Sequence, residues 1–178
     1  MKQISDLHCS IETLQQDSVI TPFESEDEEL NDFLVNDSKN YLNSMLAVTY
    51  VLRTTDEIFA YFSLSNDRLI RDGSGTPEWN RLNRPIANDK RRKSYPAVKI
   101  GRLAVARQYA GIGFGKAIIE TVINMYAKTK AQAGCRFITV DAYQNALGFY
   151  QKNGFGFLTE DDATEETRAM YLDLKAFV

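Results

Sequence analysis

Residues 102–116, RLAVARQYAGIGFGK, constrain this chain more than any other stretch. A short apolar run passes through a polar corner at Arg107 and Gln108. Glycines then stand at alternate positions 111, 113 and 115, immediately before an apolar helical pattern. That order predicts strand, turn and helix N-terminus. The first turn of a helix leaves backbone N–H groups without intrahelical partners and carries partial positive charge, so such a corner suits a phosphate. Glycine removes the Cβ that would hold a phosphate off the backbone. A glycine triplet can also be a tight connection and nothing more, so its meaning depends on what surrounds it.

With 178 residues, 44% of them apolar, the chain is long enough to bury a core and reads as a single domain, residues 1–178. No apolar run reaches the length a bilayer requires, and residues 1–20 lack the uninterrupted apolar segment of a signal peptide. The expected location is cytoplasmic, with no membrane contact. Cys9 and Cys135 match no metal-ligand spacing and His8 is the sole histidine, so no metal site and no histidine-based triad is expected.

The net charge of −3 is unevenly spread. Six acids and no base fall between residues 24 and 32, whereas residues 81–116 hold ten Lys or Arg against Asp89 alone. The acids complement the dipole of a helix starting there and need no catalytic role. The bases Arg81, Arg84, Lys90, Arg91, Arg92 and Lys93 read either as a solvated loop or as an electrostatic funnel for a polyanionic cofactor or nucleic acid.

Along the chain, residues 9–14 predict a short strand. Ser25 with Glu28 has capping-box spacing ahead of a helix over 26–43, broken at most once. Residues 46–53 and 58–65, rich in β-branched and aromatic types, predict a hairpin. Residues 66–94, with Gly73, Gly75, Pro77 and Pro85, predict an excursion containing a short helix near Trp79, which anchors it to the body. A strand over 95–105 feeds the glycine corner, and a helix follows over 113–132, closed by Gly134. The strand at 136–141 must lie parallel to the one at 95–105, because a helical crossover joins them. A helix over 145–153 ended by Gly154, then strands at 155–158 and 168–174, complete a mixed α/β domain.

In that setting, Gln108, Gly111 and Gly113 of QYAGIG, followed by Ala146, Tyr150, Gly154 and Phe155 of NALGFYQKNGF, make the sequence resemble the GNAT family of N-acetyltransferases over nearly its whole length. The resemblance implies a mixed, mostly antiparallel sheet with a central splayed parallel strand pair, flanked by helices. It implies acetyl-CoA as the cofactor. Leu103, Ala104 and Val105 would offer backbone groups to the pantetheine arm. N–H groups around Gln108, Tyr109, Ala110, Gly111, Gly113, Gly115 and Lys116 would hold the pyrophosphate. Tyr150 would protonate the departing thiolate, as a phenol within hydrogen-bond reach can. On helix position alone Tyr150 reads as a half-buried core aromatic; the motif spacing reverses that preference. Many members carry an asparagine three positions before the alanine, but here Tyr143 stands there and Asn145 is out of register, so that role is not carried over.

The strings GRLAV, FYQKNGF and YFSLS look like the branch that includes bacterial toxins acetylating the amino group of aminoacyl-tRNA. The resemblance implies direct acetyl transfer to a primary amine, whether of a small molecule, a protein or aminoacyl-tRNA. In the toxin alternative, an antitoxin would be a partner and the basic residues would face tRNA. A homodimer is common among similar proteins. A further alternative is a non-catalytic acyl-CoA-binding module. No carboxylate lies on the strand at 95–105, which predicts a water-relayed base or none.

Overall fold

The computed structural model describes residues 9–70, 77–84, 86, 93–128 and 133–178. Seven strands form a sheet in the order β1-β2-β3-β4-β5-β7-β6: β1 Ser10–Thr13, β2 Val48–Arg53, β3 Ile58–Ile70, β4 Ser94–Val105, β5 Phe137–Tyr143, β6 Gly156–Phe157 and β7 Thr167–Asp173. The helices are α1 Glu28–Asp32, α2 Ser38–Asn43, α3 Pro77–Asn83, α4 Phe114–Ile123 and α5 Leu147–Lys152. The parallel pair is β4 with β5, in the register Ala97 to Phe137, Val98 to Ile138 and Lys99 to Thr139. This is the mixed, mostly antiparallel sheet with one parallel pair that the sequence implied. Among the described residues, no helix is long and apolar enough to cross a membrane. Two compact units are distinguished, Met1–Ser65 with Ile100–Val122, and Asn66–Lys99 with Ile123–Val178.

In the first unit, Leu14, Phe33, Leu34, Val51, Ile58, Tyr61 and Ala104 form one apolar cluster. Burying a side chain such as Leu34 stabilises by about 1.5–3 kcal/mol. The helix over 28–43 runs through a π-turn, Phe33–Asp37, between α1 and α2. Its cap differs from the expected one. Asp27 Oδ1 accepts from the N–H groups of Glu29 and Leu30 at 2.9 and 3.3 Å, while Ser25 donates instead to Asn31 Oδ1 at 2.7 Å. Asp27 wins because its short carboxylate reaches two orphan donors, and its charge suits the positive end of the dipole.

In the second unit, Leu69, Trp79, Leu82, Tyr95, Ala97 and Phe137 pack together, which makes Trp79 the anchor of α3. β3 runs on to Ile70, so strand continues where an excursion from residue 66 was expected. Leu69 is buried in this cluster and Thr139 Oγ1 donates to Asp67, and these contacts outweigh the poor strand preference of Asn66 and Asp67. Gly154, at φ +89°, ends α5 in the left-handed conformation that glycine alone adopts freely. Gly134 does not have a positive φ, so it is no left-handed cap for the helix before it. That helix passes from α4 into a π-turn, Asn124–Lys128. Its expected continuation to residue 132, with Gly73, Gly75 and Pro85, lies outside the described residues.

Candidate active site

The glycine corner belongs to the first unit. β4 delivers it: Ala104 is buried, Leu103 and Val105 are half-buried, and Ala106 N–H closes onto the Phe59 carbonyl at 2.8 Å. A short 3-10 turn, Arg107–Tyr109, follows. Tyr109 packs edge-on against Phe59 at 4.8 Å, and Phe114 stacks on the same ring at 5.5 Å. Both ends of the corner are thereby tied to β3, while Ala110, Gly111 and Gly113 between them are exposed.

Within the corner, Tyr109 and Ala110 direct their N–H groups back to the carbonyls of Ala106 and Arg107, at 2.8 and 3.2 Å. The first helical bond comes only later, from Ala117 N–H to the Gly113 carbonyl at 3.0 Å. No turn carbonyl or side chain among the described residues accepts from Gly111, Ile112 or Gly113 N–H, and Phe114, Gly115 and Lys116 form the open first turn of α4. Gly111 has φ +77° and Gly113 φ +111°, conformations costly for any residue with a Cβ. A Cβ on Gly111 would meet nothing within 4 Å, so the space over the backbone is open. Unbonded amides under open space at a helix N-terminus fit a diphosphate.

The nearby side chains are already engaged. Glu57, in the β2–β3 connection, accepts from the Gln108 side-chain amide with one oxygen and from Tyr109 Oη at 2.8 Å with the other. Burial first, then that bond and the carboxylate's charge, push the Tyr109 phenol above its ordinary pKa. Arg107 pairs with Glu24 at 3.2 Å and Lys116 with Glu120 at 3.6 Å, all four largely exposed, so neither pair contributes much.

Tyr150 belongs to the second unit. It sits on α5, 6% exposed, with its ring edge-on to Phe149 at 5.0 Å and Phe155 at 5.3 Å. Its hydroxyl has no hydrogen-bond partner among the described residues. Burial pushes its pKa well above the ordinary phenol value, so the group holds its proton at neutral pH. Its side chain is buried, and its proton is bonded to no described residue.

Two arrangements in the second unit escaped sequence reasoning. At the last pair of the parallel register, Thr139 binds Asp67 of β3, and Lys99 pairs with Asp141. Only strand pairing brings Asp67 there; no spacing signals it. Of the basic residues, Arg84 and Lys93 are exposed, the backbone of Arg81 lies in α3, and Lys90, Arg91 and Arg92 lie outside the described residues.

Residues 86–171 match the family model described as an acetyltransferase (GNAT) domain. Over that span the chain is similar to a GNAT domain. Solved structures share the GNAT fold over nearly the full length. AtaT complexed with acetyl-methionyl-tRNAfMet is 22% identical at TM-score 0.77, covering 95% of this chain and 96% of that one. A KacT mutant with phenylalanine in place of one tyrosine is 22% identical at TM-score 0.76, covering 94% and 96%. AtaTR bound with AcCoA is 23% identical at TM-score 0.75, covering 94% and 95%. At these identities the likeness establishes fold. A search of curated protein sequences finds no match.

Proposed function

We propose that this chain transfers an acetyl group from acetyl-CoA directly to a primary amine. The observation that carries the reading is the run of amides from Gly111 to Lys116 that, among the described residues, bond to no carbonyl or side chain, with open space over Gly111. These N–H groups hold the diphosphate, and the backbone of Leu103, Ala104 and Val105 lines the pantetheine arm. Bound there, acetyl-CoA supplies an acyl thioester activated toward amines.

Tyr150 gives its proton to sulfur. As the amine nitrogen bonds to the carbonyl carbon and the C–S bond breaks, negative charge gathers on sulfur, and an unclaimed phenol proton neutralises it. The amine loses its own proton to water. An aminoacyl ester amine titrates lower than an aliphatic amine near pKa 10, so it needs less help in doing so.

A second reading, that the acceptor is aminoacyl-tRNA and the chain is the toxin of a toxin–antitoxin pair, is favoured by the fold shared with AtaT in its acetyl-methionyl-tRNAfMet complex. Exposed Arg84 and Lys93 suit the phosphate backbone of such an acceptor. Acetyl transfer measured against a charged tRNA pool and a panel of small amines and peptides tests both readings. Transfer to tRNA that weakens steeply with salt, with growth arrest on expression relieved by Tyr150→Phe, supports the toxin. Transfer to the panel alone leaves the general reading, and acetyl-CoA binding with transfer to neither overturns both in favour of a binding module.

A further inference from the structure

Glu57 stands 51 positions before Gln108 in the chain, yet both of its carboxylate oxygens are engaged at the glycine corner. It is carried there by a closed hairpin turn, in which its own carbonyl accepts from Thr54 N–H at 2.9 Å. On the other side of the corner the rings of Phe59, Tyr109 and Phe114 interlock, with Tyr109 and Phe114 edge-on at 6.0 Å. A polar tie and an aromatic one thus hold the same short turn. A carboxylate beside a polyanion site is electrostatically adverse, so what it contributes must be geometric.

We infer that Glu57 is a positioning residue for diphosphate recognition: by bridging Gln108 and Tyr109 it fixes the turn so that the amides from Gly111 onward stand ready without reorganising. This rests on the reading that the corner holds acetyl-CoA. Charge-assisted bonds are stronger than neutral ones, and a preformed site binds more tightly than one that must be ordered.

The test compares the native full-length chain with E57Q and E57A. It uses calorimetric titration of acetyl-CoA, and kinetics with acetyl-CoA and with acetyl-pantetheine, a thioester lacking the diphosphate. In E57A the acetyl-CoA Kd and KM rise about tenfold, while kcat stays within about threefold. The KM for acetyl-pantetheine changes less than about twofold, since there is no diphosphate to misplace. E57Q keeps one acceptor oxygen and falls between, and it carries the test if E57A does not fold. Equal losses with both thioesters, or unchanged acetyl-CoA affinity, would overturn the inference. A native chain that binds no acetyl-CoA sinks the reading of the corner itself, and this role with it.

Discussion

Two buried tyrosines, one in each unit, differ in what their hydroxyls bond. Tyr61, at 0% exposure, donates its hydroxyl proton to the Leu30 carbonyl at 2.6 Å. Tyr150, at 6%, donates to no protein group among the described residues. Burial is the leading cause of a raised phenol pKa in both, so both stay protonated at neutral pH. What separates them is the destination of the proton: one closes a contact between strand and helix, and the other is bonded to no described residue.

Tyr150→Phe is expected to have the largest effect, lowering kcat for acetyl transfer roughly a hundred- to ten-thousand-fold. The melting temperature should hardly move, because no hydrogen bond to a described residue is lost. A large drop in stability would erase the contrast with Tyr61. Gly111→Ala forces a side chain into φ +77° at a cost of about 1–2 kcal/mol, so acetyl-CoA affinity should fall roughly five- to thirtyfold in titration. Tyr61→Phe should do the reverse of Tyr150→Phe, costing about 1 kcal/mol and a few degrees of melting temperature with kcat unchanged.

The shared pKa direction gives a test in which no change is expected. Below pH 10 both phenols are neutral whether the chain is folded or unfolded; above it the unfolded phenol ionises first, so folding stability falls as pH rises further. The ratio of native to Tyr150→Phe rates should therefore stay constant from about pH 7 to about pH 10. The smallest effect is expected for Asp67→Asn. Asp67 is bonded to Thr139 and has no role in the proposed chemistry, so kcat/KM should stay within about threefold. A much larger loss would make Asp67 the base.

The sequence made the corner and Tyr150 legible because both are local: glycines at alternate positions and a phenol at fixed spacing from Gly154 need no knowledge of pairing. The parallel β4–β5 pair could also be read, since a helical crossover permits little else. Glu57, Asp67 and Thr139 could not. Glu57 reaches Gln108 across 51 positions from the β2–β3 connection and Thr139 reaches Asp67 across 72 between strands, and nothing in the neighbourhood of any of them differs from an ordinary hairpin or strand residue. The displaced cap at Asp27 is a smaller instance, where two acceptors two residues apart satisfy similar sequence rules and only geometry chooses between them.

The π-turn Phe33–Asp37 admits one residue more than an α-helical turn would, so it acts as a phase adjuster along the helix. Phe33, Leu34 and Ser38 point inward across it while Val35 is left outside, 53% exposed. Removing Val35 would let the segment relax into an uninterrupted α-helix. Because the wide turn takes up the surplus residue, the helix beyond it, with Ser38, would keep nearly the same azimuth after that deletion. The wide turn therefore uncouples the length of this segment from the azimuth of α2: only regular α-helical winding forced through all the residues present would be read out as a rotation of the face beyond it.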